Sequence, residues 1–165
     1  MRNDHIDVHI RNATMADYDA LCALFEQVDH LHATALPDIF RPFSGPARER
    51  DHIQRILDDE LQCLLVAEVG NDIIGVAEAN VSVAPEWPMV VPRRWVHVRE
   101  IVVDERFRGK GIGTALLAHI EVWARSLGIM RVELQVWEFN AGARAAYEHA
   151  GFRAASRVLC KDLES

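Results

Sequence analysis

Cysteine is scarce and scattered. Cys22, Cys63 and Cys160 are odd in number, far apart and form no CxxC pair, so their spacing supports neither a disulfide framework nor a zinc site. Long apolar runs are missing as well: none approaches the roughly 18 residues that a membrane-spanning helix needs. Met1–Arg11 is polar and charged, so neither an anchor nor an export leader is expected. There is no basic excess. Asp and Glu total 25 against 18 Lys and Arg, a formal charge of −7, whereas nucleic-acid binders usually carry a basic patch or stripe. Repeats, low-complexity tracts and Gly/Ser linkers do not occur. These absences predict a cytoplasmic protein with no metal, no membrane and no nucleic-acid partner. They also predict one domain over residues 1–165 with a core at about 8–163, within the usual domain size of roughly 100 to 200 residues.

Half of the residues are hydrophobic, enough for one sizeable core, and their spacing divides the chain into strands and helices. Val8, Ile10 and the polar turn Asn12–Thr14 predict a first strand. A helix follows, with Tyr18, Leu21, Cys22, Phe25 and Val28 at helical spacing and with Thr14 and Asp17 placed to cap it. Leu36–Pro46, with three prolines and two phenylalanines, predicts an irregular segment before a second helix through Ile53, Ile56 and Leu57. Cys63–Val69 and Ile73–Val83 flank the turn signal Gly70-Asn71-Asp72 and predict an antiparallel hairpin. A Pro-rich loop, Ala84–Arg94, leads to a strand at Trp95–Val103. Ile112, Leu116, Ile120, Trp123 and Leu127 mark a further helix stopped by Gly128. Val132, Leu134 and Val136 read as a strand, Asn140 opens an Ala-rich helix through Tyr147 that Gly151 closes, and Ala155–Leu163 reads as a last strand. The expected fold class is α/β (α+β), with about seven strands and about four helices in mixed order.

The stretch from Val102 to Thr114 passes from a strand through Arg108-Gly109-Lys110-Gly111-Ile112-Gly113 into an amphipathic helix. A helix N-terminus presents unpaired N–H groups and the positive end of its dipole, and residues without a Cβ let a phosphate approach the backbone. Arg108 and Lys110 add positive charge and Thr114 a hydroxyl. A P-loop would need Lys and then Ser or Thr after its second glycine, but Ala115 follows Thr114 here. A dinucleotide fingerprint needs GxGxxG after an early strand, but these glycines read GxGxG two thirds of the way along. A tight strand-to-helix turn with no ligand would explain the same glycines.

Arg-x-x-Gly-x-Gly at Arg108, Gly111 and Gly113 resembles the pyrophosphate loop of the GNAT N-acetyltransferase superfamily (acyl-CoA N-acyltransferase fold). The order of elements from about Val8 to Leu163 is similar to the family's. So are three local signatures: Glu100-Ile101-Val102-Val103-Asp104, Asn140 after the following strand, and Ala146–Phe152. The resemblance implies a mostly antiparallel mixed sheet with a bulged strand before the loop and a splay between the two central strands. It implies acetyl-CoA as cosubstrate, with the backbone of Ile101, Val102 and Val103 along the pantetheine arm. Arg108, Gly109, Lys110, Gly111, Gly113 and Thr114 would hold the pyrophosphate. Asn140 would either contact the cofactor or only cap its helix. Tyr147 corresponds to the family's general acid, although Ala143, Ala146 and Ala150 would also make it part of an apolar helix face. Glu100 is the first candidate base, ahead of Glu138 and His97, with an ordinary ion-paired strand residue as its plain alternative. Some family members carry a glutamate where this chain has Gln135. The amine side is expected from the first two helices and the Pro-rich loop, with Asp29, His30, His32, Asp38, Phe40 and Phe43 as candidates.

The implied activity is transfer of an acetyl (acyl) group from acetyl-CoA to a primary amine of a small molecule or peptide, in a ternary complex. No cysteine lies in Arg99–Phe152 to act as a nucleophile. A CoA-binding regulatory or interaction module without transferase activity stands as the alternative. A homodimer through the last strand or the loop carrying Trp87 and Trp95 is also compatible with the family.

Overall fold

The chain's structure, a computed structural model, describes residues 7–163. The hairpin at Gly70 forms as expected. β2 (Gln62–Val69) and β3 (Asp72–Val83) pair antiparallel, with Leu64 opposite Glu78 and Val66 opposite Val76. β1 (His9–Asn12) adds to the free side of β2, and β4 (Arg94–Val103) pairs antiparallel with β3. β5 (Val132–Leu134) joins β4 in parallel, giving the order β1-β2-β3-β4-β5.

Strand side chains alternate between faces, and both faces are covered. Leu64, Val66, Val76 and Val102 meet Leu21, Leu24 and Phe25 of α1 (Tyr18–Ala35) and Ile53 and Ile56 of α2 (Arg50–Asp58) in one buried cluster. On the other face lies α3 (Ile112–Ser126), with Leu116 and Ile120 fully buried. Gly75 lies close to α3, because a Cβ there would stand 3.2 Å from Leu116 Cδ1. α1 ends at Ala35, before Pro37, and α3 ends before Gly128, as their sequences predict.

The chain divides into two compact units, residues 1–135 and 136–165. The second is built around α4 (Ala141–His149). Its C-terminus closes in a Schellman arrangement: Phe152 N–H donates to the Tyr147 carbonyl (2.9 Å) and Gly151 N–H to that of Glu148 (3.0 Å).

The expectation of about seven strands is corrected. Five strands are paired among the described residues. β5 stops at Leu134 and leaves Val136 outside it, and Ala155–Leu163 forms no strand. Val158, Leu159 and Leu163 are exposed. A strand is completed by hydrogen bonds to a neighbour, and apolar content alone gives this segment none.

The entry to α1 is tied to the sheet by charge. Arg11 of β1 donates from both terminal nitrogens to Asp17 (2.8 Å each) and from Nε to Glu68 of β2 (2.9 Å). Thr14 N–H also donates to Asp17 (2.8 Å), the reciprocal half of the expected cap. The Arg11 guanidinium outweighs burial and holds the buried Asp17 carboxyl down to about 2, against an ordinary 3.8. A depressed acid pKa stabilises the fold above the ordinary value, and that stability is lost as pH falls toward the folded-state value. Asp17→Asn is therefore expected to cost about 2 kcal/mol at pH 7. Urea unfolding should show the wild type losing this margin between pH 4 and 2 and the variant losing less.

Candidate functional site

β4 carries one residue more than β3 can match. Glu78 lies opposite Glu100 and Ala79 opposite Val98, so Arg99 is the extra residue of a bulge. Pairing with β5 ends at the same level, at Val98 opposite Leu134, while β4 runs on to Val103. Among the described residues, one edge of β4 beyond the bulge therefore has no strand beside it.

Which groups face that edge follows from the ladder. Asp104 N–H donates to the Ile74 carbonyl (2.9 Å), and hydrogen-bonded pairs alternate with non-bonded ones in an antiparallel ladder. Val102 thus turns its N–H and C=O toward Val76, whereas Ile101 and Val103 turn theirs toward the open edge. Of the three residues singled out for a pantetheine arm, Val102 is committed to the sheet. Arg108 Nε donates to the Val103 carbonyl (3.0 Å).

The turn after β4 is held from two directions. Asp104 accepts from the backbone N–H of Arg106 (3.0 Å) and from its Nε (2.9 Å), starting a short 3-10 turn, Glu105–Phe107. Gln27 of α1 donates to Asp104 (3.3 Å) and accepts from Glu105 N–H (3.2 Å). Gly109 and Gly111 then take φ of 75° and 79°, the left-handed region that glycine enters without penalty. Gly111 is the N-cap of α3 and has no side chain to cap it, so the first-turn amides, among them those of Gly113 and Thr114, are left for a ligand. Apart from the adjoining residues, no described atom lies within 4 Å of where a Cβ would stand at Gly109 or Gly111. The exposed side chains of Arg108, Lys110 and Thr114 flank this space in sequence. Oriented amides, a helix dipole and two cations suit a diphosphate.

The sheet face toward α1 is polar beyond Val102. By register it carries Glu78 and Asn80 of β3 with Glu100 and His97 of β4. Arg48, from the segment before α2, donates to Asp29 of α1 (2.9 Å) and to Glu100 Oε2 (3.0 Å). Arg99 pairs with the buried Glu78 (3.0 Å). Burial pushes the Glu100 carboxyl above the ordinary glutamate value, and Arg48 opposes the shift. Burial, aided by Arg99, pulls His97 down. Among the amine-side candidates, His32 stacks on Phe40 with ring centroids 5.2 Å apart, while His30, Asp38 and Phe43 are exposed. Arg48, Glu78 and Arg99 were not among the sequence candidates, and no spacing signal marks them.

The second unit holds the other candidates. Asn140 Oδ1 accepts from Ala143 N–H (3.1 Å) and caps α4. Tyr147 lies two turns on, its ring 5.9 Å from that of Phe152, and burial raises its phenol above the usual value. Glu138 pairs with Arg144 (2.9 Å) at the surface. Gln135, the last residue of the first unit, is exposed and lies past the end of β5.

The profile of the Acetyltransferase (GNAT) family matches residues 25–152. The chain belongs to this family of N-acetyltransferases, whose cosubstrate is acetyl-CoA. It is 35% identical over 72 residues to the uncharacterized N-acetyltransferase YycN of Bacillus subtilis, covering 44% of this chain and 46% of that one. It is 29% identical over 110 residues to the L-ornithine N5-acetyltransferase NATA1 of Arabidopsis thaliana, covering 67% of this chain and 41% of that one. The chain thus spans less than half the length of these curated relatives. Among solved structures, the tetramutant of the BH1408 protein of Bacillus halodurans superposes with a TM-score of 0.88 at 28% identity, over 94% of this chain and 99% of that one. An aminoglycoside N-acetyltransferase, AAC(6')-Iy in complex with CoA, shares the fold with a TM-score of 0.71 at 17% identity, over 95% of this chain and 100% of that one.

Gly111→Ala tests the turn. A non-glycine residue in the left-handed region costs roughly 1–2 kcal/mol. The free loop can relax, but amides aimed at a diphosphate cannot. CoA affinity by calorimetry is expected to fall about tenfold, equivalent to ~1.4 kcal/mol.

Proposed function

We propose that this chain is one N-acetyltransferase domain, acting in the cytoplasm, that moves an acetyl group from acetyl-CoA to a primary amine of a small molecule or peptide by direct attack in a ternary complex. The observation that carries this reading is the adjacency, within one unit, of an uncapped helix start and a strand edge with no strand beside it among the described residues. The uncapped α3 N-terminus after Gly109 and Gly111 follows directly on the β4 edge where Ile101 and Val103 face no strand. The first suits the diphosphate of CoA and the second its pantetheine arm and thioester.

The chemistry assigns distinct tasks to side chains. An amine arrives mostly as ammonium, with a pKa near 10, and Glu100 removes one proton, directly or through water. The free amine's lone pair forms a C–N bond to the thioester carbon. Oxyanion development is met by a backbone N–H of the open β4 edge. The C–S bond then breaks, the electron pair leaves with sulfur, and the thiolate takes a proton from a general acid, the role that the family resemblance gives to Tyr147. The phenolate recovers a proton from the acylated nitrogen, and Glu100 releases its own to solvent. A raised phenol pKa keeps Tyr147 protonated for this task. Asn140, whose Oδ1 caps α4, would contact the cofactor through its side-chain NH2.

CoA release from acetyl-CoA should be followed with L-ornithine, putrescine, an aminoglycoside and a lysine peptide, choices guided by the named relatives and neighbours. Glu100→Gln is expected to lower turnover by about 10²–10⁴, and Tyr147→Phe to slow it with little change in CoA affinity. Tight CoA binding without release for any amine would overturn transfer and support a CoA-binding module.

A further inference from the structure

Arg48 is held unusually firmly for a residue in a segment between helices. Its backbone carbonyl accepts from the Tyr18 hydroxyl (2.6 Å), and its guanidinium lies over the ring of the fully buried Phe25, 4.6 Å from the centroid. One terminal nitrogen donates to Asp29 (2.9 Å) and to the Ala47 carbonyl (2.7 Å), while the other donates to Glu100 Oε2 (3.0 Å). Backbone, ring face and both nitrogens are thereby fixed before any substrate binds. At Glu100 the contact is to one oxygen only, which leaves Oε1 with no partner among the described residues.

We propose that Arg48 is the positioning residue for Glu100, fixing the carboxylate through Oε2, keeping it charged in a half-buried place, and leaving Oε1 to receive the acceptor's proton. The inference rests on the reading of Glu100 as base. The other charged and titratable groups on this side include Asp29 of α1 with His32 near it, Glu78 of β3, and Arg99 and His97 of β4. Glu78 is matched by Arg99 and Asp29 by Arg48. Arg48 is thus the cation bonded directly to Glu100. An opposite charge this close favours the ionised form. Its removal therefore raises the Glu100 pKa, and removal of the like charge on Asp29 lowers it.

The test is a titration of the whole chain labelled with ¹³C at glutamate carboxyls, with the Glu100 signal assigned by its loss in Glu100→Gln. Arg48→Met is expected to move the Glu100 midpoint up by about one unit, Arg48→Lys to hold it near wild type, and Asp29→Asn to move it down. The acid limb of kcat/KM for the best amine should follow the same order. Arg48→Lys should lower kcat several-fold because a lysine cannot reproduce the two-armed contact. If Arg48→Met fails to fold, the opposite shift in Asp29→Asn still decides. Unmoved midpoints in the folded variants would reduce Arg48 to a structural tie and overturn the inference. Unimpaired turnover in Glu100→Gln, with midpoints that do shift, would remove the base assignment, and the positioning role with it.

Discussion

A single surplus residue in β4 sets what the molecule can present. Because Arg99 has no partner of its own on β3, the strand changes phase between Val98 and Glu100. Ahead of the bulge, Val96 and Val98 pack into the core while His97 faces α1; beyond it, Ile101 and Val103 point to the α3 side and Glu100 shares a face with His97. A strand in strict alternation would place His97 and Ile101 on one face and send Glu100 to the other. The bulge also coincides with the end of the β5 ladder, so the backbone after it has no described strand on one side, where Arg108 Nε reaches the Val103 carbonyl. The placement of the Glu100 carboxylate and the open edge follow from one irregularity.

The α3 N-terminus depends on the same strand. Asp104 closes the ladder onto Ile74, accepts from Arg106 and is gripped by Gln27 of α1. The turn that follows is therefore anchored to the sheet and to a helix before the glycines begin. Positive φ at Gly109 and Gly111 then aims the amides. Preorganisation of this kind lowers the ordering cost of gripping an anion.

Charge on the α1 side is nearly balanced among neighbours: Glu78 with Arg99, and Asp29 and Glu100 around Arg48. One carboxylate remains in excess, which suits a cationic acceptor without a large unpaired field. The partial burial of Glu100 works against ionisation and the guanidinium works for it.

Much of this was legible in the residues. The bulge was expected only from the family resemblance, because Trp95 and Val102 blur any alternation of apolar positions across 95–103. The glycine turn, the start of α3, the Thr14–Asp17 capping box in the turn ahead of α1, the cap of α4 and the β2–β3 hairpin were readable because each is decided by residues a few positions apart. What only the tertiary structure decided lies far apart in the chain or needs a partner surface. Arg48 and Glu100 are 52 residues apart, and nothing near Arg48 says which carboxylate the fold will carry to it. Ala155–Leu163 has the composition of a strand but no ladder, because pairing is a property of two segments. Local torsion and capping energies act within a turn of chain and leave their mark in residue type. Which distant groups meet is set by how the whole core closes.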